Sequence, residues 1–311
     1  MLRIITASIA RWAAWRLGGL VCGCSLGLLV ALPAQAQPAA PRNVIVVLVD
    51  DLGWADLSCQ GSELYRTPHI DALAARGMRL TNGYAACAVC SPTRAAYMTG
   101  RYPARLGITD WIRATQNRGG VQKTLEDRPS AYVANSQKPL RCPQNPFWMD
   151  HAEVTLAEQL SAAGYVTAHI GKWHLGDELW EPRTQGFAFN VAGADHGQPP
   201  SYFDPYERTD RQSRVWRLRH IESRRPGEYL TDREADEAVQ FIRQHQDQNF
   251  FLSLCHYAVH TPIQAKPELA ATYEDAAQQN AHQQNAKYAA MVHSVDDAMG
   301  RVLQTLDELD L

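Results

Sequence analysis

The chain has 311 residues, 45% of them hydrophobic and 20% charged, which is enough apolar material for one large or two medium cores and excludes an intrinsically disordered protein. Its formal net charge is -3 with the signs interspersed, so no field suits a phosphate backbone and no nucleic-acid partner is expected. The arginines between positions 208 and 225 read as solvated loop surface.

The first residues have the form of an export signal. Arg3, Arg11 and Arg16 precede an apolar run at 17–32, and Pro33-Ala34-Gln35-Ala36 sets small residues ahead of a cleavage point after Ala36. Residues 1–36 are therefore expected to be a signal peptide and 37–311 the mature part, periplasmic or secreted. A retained anchor is the alternative, but the run falls short of the ~20 apolar residues a spanning helix needs. A lipid anchor at Cys22 or Cys24 fits poorly, because apolar sequence continues past both. No later segment is long and apolar enough to span a bilayer, so no membrane is expected after cleavage. Cys59, Cys87, Cys90, Cys142 and Cys255 then remain in an oxidising compartment. An odd count leaves one with another task while the other four could pair in three ways, and Cys90 is the candidate.

Residues 43–49, NVIVVLV, form a continuous β-branched run that fits a strand buried on both faces of a mainly parallel sheet. It stops at Asp50-Asp51. Thr67-Pro68-His69 then opens an apolar-periodic helix, IDALAARG, with Gly77 in the C-cap position. Residues 90–94, CSPTR, place Cys90 in the first turn of a helix, where free N–H groups and the dipole favour an anion. From Thr155 the pattern repeats: helix TLAEQLSAAG closed by Gly164, strand YVTAHIG, then a loop carrying Lys172 and His174. A third unit runs from helix LTDREADEAVQFIRQHQ to strand FFLSLCHY and the loop with His260. The segments at 111–150 and 194–228 lack periodicity and read as long surface loops shaping a substrate rim. Trp111, Trp148, Trp180, Tyr202 and Tyr206 could stack on sugar faces there, or pack in the core. A helical apolar stripe at 286–309 ends the chain. Helix, strand and polar loop in alternation predict a three-layer α/β/α sandwich around a central, mainly parallel sheet.

In such a sheet, ligands collect at the carboxyl ends of the strands. Asp50 and Asp51, Lys172 with His174, and His260 occupy three such ends. Adjacent carboxylates at a buried strand end call for a cation, and a hard divalent ion held by oxygens is the usual solution; the bland reading makes one a helix cap and leaves the other solvated. Lys172 and His174, two apart, point the same way in an extended loop, although either could be a surface residue, and His260 could be a satisfied loop histidine.

Cys90-Ser91-Pro92-Thr93-Arg94 with Thr99-Gly100-Arg101 resembles the signature of the formylglycine-dependent sulfatases, within the alkaline-phosphatase superfamily. VLVDDLGWADLSCQG, TPHIDALAARG, GKWHLG and VHTPIQAKPE resemble further stretches of that family in the same order. The resemblance implies that Cys90 is oxidised by a formylglycine-generating enzyme to an aldehyde, whose hydrate attacks the sulfur of a sulfate ester and then expels sulfate. It implies calcium, in preference to magnesium, held by Asp50, Asp51 and the group derived from Cys90. Arg94 and Lys172 would hold the formylglycine and the sulfate, His174 would take a proton as sulfate leaves, and His260 would bind the substrate and assist the leaving oxygen. The substrate would be a sulfated carbohydrate or an aryl sulfate. Two further metal ligands and a second lysine of the family pattern find no counterpart up to Leu311. The sequence therefore reads as a catalytic domain incomplete on its C-terminal side, with the stripe of its last helix left facing an absent strand and with low activity and calcium affinity of its own. The alternatives are a phosphonate or phosphate monoester hydrolase of the same superfamily, against which Cys90 weighs, and an inactive sulfatase-like fragment.

Overall fold

A computed structural model describes residues 43–114 and 145–311, together with the backbone of two short strands between them. The expected signal peptide lies outside the described residues. The sheet is built from β1 (Val44–Val49), β4 (Val166–Gly171), β5 (Phe189–Val191) and β8 (Phe250–His256), in the order β1-β8-β4-β5. Every pairing in it is parallel, with Val44 opposite Phe251 and Val166 opposite Phe250. Two small antiparallel hairpins, β2 (Tyr132–Val133) with β3 (Cys142–Pro143) and β6 (Glu207–Thr209) with β7 (Val215–Arg217), lie outside it.

Alternation of side chains along each strand sends the sheet's residues into two cores. On one face Val44, Val46 and Phe251 pack with Ala95 and Met98 of α2 (Cys90–Thr99) and Ala157 of α4 (Leu156–Ala162). On the other, Ile45, Val47, Phe250, Leu252 and Leu254 meet α5 (Leu230–Gln244) and α8 (Ala286–Glu308). The expected three layers are thus present. Complete burial of Phe250, Phe251 and Leu252 contributes roughly 1.5–3 kcal/mol each. The other α-helices among the described residues are α1 (Pro68–Arg76), α3 (Pro103–Leu106), α6 (Pro267–Ala271) and α7 (Glu274–Gln279).

Local chemistry accounts for several boundaries. Thr155 and Glu158 form a reciprocal capping box that starts α4, and Asn285 accepts from the Tyr288 N–H to start α8. Gly171 ends β4 at φ +97°, and a Cβ there would collide with the Cys255 carbonyl oxygen of the neighbouring strand. The next residue, Lys172, is thereby delivered to the top of the sheet.

Three sequence expectations need correction. The stripe of α8 is already covered, because Met291, Val292, Val295, Met299 and Val302 are buried against the rest of the chain. The segment at 194–228 is not only surface: Tyr202, Tyr206 and Leu218 are core residues packed with Tyr229 and Tyr257. No disulfide forms among the described residues. Cys59, Cys87, Cys90 and Cys255 are all free, and Cys255 is enclosed in β8 with Sγ 3.4 Å from Ser253 Oγ.

Candidate active site

Three parallel strands end at one place, and backbone contacts join the loops that follow. The Asp50 N–H donates to the Ala258 carbonyl at 2.9 Å and the Val259 N–H to the Asp50 carbonyl at 2.7 Å, so the loop with His260 is laced to the end of β1. The Tyr202 hydroxyl sits 2.7 and 2.8 Å from the carbonyl oxygens of Tyr257 and His260 and braces the same loop. From α2, buried Ser91 donates to the His174 carbonyl and accepts from the Ile112 N–H, both at 2.9 Å. His174 Nε2 completes the brace at 2.7 Å from the Ile112 carbonyl.

Beneath Cys90 lies a buried charge cluster. Arg94, from α2, donates to Asp50 Oδ1 at 3.1 Å and also to the Lys172 carbonyl, while the Lys172 ammonium pairs with Asp50 Oδ2. All three residues are buried. Burial opposes the charge of Asp50, yet Arg94 and Lys172 outweigh it and hold this carboxyl well below the usual carboxylate range. Burial pushes the Lys172 ammonium down, with Asp50 opposing that shift. Two cations on one carboxylate leave a net charge of +1 (Arg94 and Lys172 against Asp50). Such a surplus suits an arriving anion.

Above the cluster is a cleft of about 540 Å³. Asp51, Cys90, His174 and His260 are in its lining together with Trp111, Arg208 and Trp216. Burial first, and then the Lys172 charge, hold His174 well below the usual histidine range, so its ring is neutral. Because Nε2 faces a carbonyl, it carries the proton, and Nδ1 is an acceptor with no partner among the described residues. The His260 Nδ1 faces the Thr261 carbonyl at 2.9 Å, which leaves Nε2 turned to Asp51 Oδ2 at 3.5 Å.

A family model described as "Sulfatase" matches residues 42–311. The chain belongs to the sulfatase family. Among curated sulfatases, N-acetylgalactosamine-6-sulfatase of Homo sapiens is 32% identical over 283 residues, covering 86% of this chain and 47% of that protein. Steryl-sulfatase of Mus musculus is 31% identical, covering 91% of this chain and 51% of that protein. The chain thus spans about half the length of the curated relatives it matches. The solved structure of Ps i-CgsB superposes with a TM-score of 0.64 at 28% identity, over 87% of this chain and 56% of that one.

In this sulfatase-family chain the residues picked from the sequence come together, in two tiers. Cys90, His174, His260 and Asp51 line the cleft, whereas Asp50, Arg94 and Lys172 form the buried tier below. Lys172 is neither a surface residue nor part of the cleft wall. A smaller cavity of about 220 Å³ has Asp50, Asp51, Cys90 and Arg94 in its lining. Donor atoms of Asp50, Asp51 and His260 lie within 4.8 Å of one another. Two carboxylates so placed fit a hard divalent cation, which would share the Asp50 oxygens with Arg94 and Lys172, and the His260 nitrogen is a softer third donor within reach.

Four of the aromatic residues considered for sugar stacking are core instead: Trp148, Trp180, Tyr202 and Tyr206 are buried, and the first two stack on each other with ring centroids 4.0 Å apart. Only Trp111 of that group faces the cleft. Trp216 and Arg208 also face it, although the stretch around them reads as solvated loop. Their signal is the strand pairing of β6 and β7, which sets Arg208 directly opposite Trp216. Ser91 is a further scaffold residue that its place in the CSPTR motif conceals.

Proposed function

We propose that this site hydrolyses sulfate monoesters, with Cys90 oxidised to formylglycine by a formylglycine-generating enzyme and with calcium held by Asp50 and Asp51. The observation that carries the reading is that Cys90 opens a helix at the top of the sheet, above a buried cluster of surplus positive charge, with two histidines lining the same cleft. Val89, the residue that caps α2, offers no side-chain cap, so backbone N–H groups there are open to an anion. Once hydrated, formylglycine would supply two hydroxyls, one to attack sulfur and one to expel sulfate. Calcium would supply charge at the sulfate oxygens.

The chain's own residues do the rest. Arg94 and Lys172 fix Asp50 and lend the anion their net charge. His174 accepts a proton at Nδ1, the nitrogen that Ile112 leaves unoccupied. His260, its Nδ1–H donated to the Thr261 carbonyl and its loop braced by Tyr202, turns Nε2 to the leaving oxygen and delivers a proton from there when the ring carries both of its protons. The substrate is a sulfated carbohydrate. In support, relatives are named for N-acetylgalactosamine-6-sulfate, and Ps i-CgsB has been solved in complex with k-i-k-neocarrahexaose. The location is periplasmic or secreted; among the described residues no helix is long and apolar enough to cross a membrane. Co-expression with the maturation enzyme, mass spectrometry of the Cys90 peptide and a calcium-dependent aryl sulfate assay test the proposal. A Cys90 that stays a thiol throughout, or equal turnover by Cys90→Ala, would overturn it.

A further inference from the structure

The lining of the cleft includes a stacked arginine and tryptophan, Arg208 and Trp216. In the antiparallel pair β6 and β7, Arg208 lies directly opposite Trp216, and cross-strand partners project from the same face. That face lines the same cleft as Cys90 and His260. The Arg208 guanidinium stands 5.5 Å from the centroid of the Trp216 ring. The tryptophan is fixed in turn, its Nε1–H 3.3 Å from Asp210 Oδ2.

The neighbouring pair of the ladder shows why Arg208 differs. Arg217, opposite Glu207, is bonded to that carboxylate at 2.7 and 2.9 Å, and Arg214 is bonded to Asp210 at 2.7 Å. Arg208 has no carboxylate within ion-pair distance among the described residues, and its one contact of this kind is the face of Trp216. A cation on an aromatic face, in a cleft that a second tryptophan, Trp111, also lines, suits a flat apolar ring face that carries a negative substituent. A sugar ring bearing an anionic group has both properties.

We infer that Arg208 and Trp216 form a subsite for a second anionic group on the substrate, so that the site selects saccharides with a sulfate or carboxylate besides the sulfate that is cleaved. This rests on the sulfatase reading of the Cys90 end of the cleft. The hydrolysed sulfate docks over α2 while the rest of the saccharide lies across Trp216 and Trp111, with its second anion on the Arg208 fork. A guanidinium suits either anion, since both accept its paired N–H donors.

Binding measured without turnover tests the subsite separately from the chemistry. The full chain with Cys90→Ala is titrated, by tryptophan fluorescence and equilibrium dialysis, with a monosulfated hexose, the same hexose bearing a second sulfate, and the monosulfated hexose linked to a uronic acid. The doubly charged ligands should bind about tenfold more tightly or better, as expected for one added charge-assisted contact. The preference should shrink as salt rises, because Arg208 is exposed. In Arg208→Gln it should collapse to near unity, in Arg208→Lys it should survive in part, and Trp216→Ala should weaken all three ligands. Arg217→Ala, on the other face of the hairpin, should leave the preference intact. Preference for only one of the two charged ligands would identify the second group as sulfate or carboxylate. Equal binding of all three, or a preference that outlasts Arg208→Gln, overturns the subsite. Aryl sulfate turnover alongside that result leaves the sulfatase reading standing, whereas a preference without any turnover would sink the chemistry and keep the subsite.

Discussion

Replacing Lys172 with methionine should separate stability from activity. The side chain has no exposed surface, and its ammonium shares the Asp50 carboxylate with Arg94. Removing one partner of an isolated buried pair costs about 3–5 kcal/mol, because the other charge is stranded. Asp50 would not be stranded here: Arg94 stays 3.1 Å from Oδ1. The direct loss reduces to one charge-assisted hydrogen bond, about 1.5–3 kcal/mol. Against it stands the removal of an ammonium whose burial already pushes its pKa down, and methionine fills much of the vacated volume. The two effects are of similar size, so urea unfolding should place Lys172→Met within about 2 kcal/mol of the parent. Activity should respond otherwise, since the surplus charge beneath Cys90 falls from +1 to zero. Losing one oriented group at a developing charge commonly costs about a hundredfold to a thousandfold in rate. The assay is kcat/KM on an aryl sulfate for protein matured at Cys90, beside a urea curve of the same preparation. Unfolding weakened by about 4 kcal/mol with turnover intact would show that Lys172 is a structural ion-pair partner and nothing more.

Gly197→Ala should disturb His174 without unfolding the chain: a Cβ there would stand 2.7 Å from Cε1 and 2.9 Å from Nε2 of a ring that the Ile112 carbonyl holds in place. A misplacement of about 1 Å can cost up to a hundredfold, so kcat should fall by about tenfold or more, and an unchanged kcat would mean that the ring yields harmlessly. Acid should weaken the fold through His169, whose pKa is pushed down to about 3 by burial and by the Arg94 charge. The unfolded chain takes up that proton near pH 6.5 and the folded chain does not, so this contribution is complete above 6.5 and is lost as pH falls from there towards about 3. The slope should be about 1.4 kcal/mol per pH unit, and urea midpoints for His169→Gln should show a flatter pH dependence over the same window. Thr155→Ala removes the cap of α4 together with a 2.8 Å hydrogen bond to the Gln185 carbonyl. It should cost about 1–2 kcal/mol in urea unfolding while turnover is kept.

Three strands of the central sheet, β1, β4 and β8, were legible as mainly apolar runs of six or seven residues, whereas β5, the three residues FNV, was not; the longer helices were legible because their apolar residues recur at helical spacing, and the short α3, α6 and α7 were not. The hairpin of β6 and β7 was not, since strands of three residues, ERT and VWR, give no periodicity to read. Aromatic residues misled for a different reason. Tyr202 and Trp216 are equally apolar in a sequence, but one is enclosed, its hydroxyl bracing the His260 carbonyl, and the other lines the cleft. What separates them is the element standing opposite, which is a tertiary fact. The same holds for the arginines at 208–225: Arg214, Arg217, Arg219 and Arg224 meet carboxylates, and Arg208 meets Trp216. Pairing register decides which arginine is which. A slip of one residue along β7 would send Trp216 to the far face and bring its neighbours to the cleft. On the function proposed above, the chemistry at Cys90 would be written in a contiguous motif and the selectivity of the cleft in the register of a short hairpin, so substitutions that shift that register should change which saccharides bind before they change the reaction at sulfur.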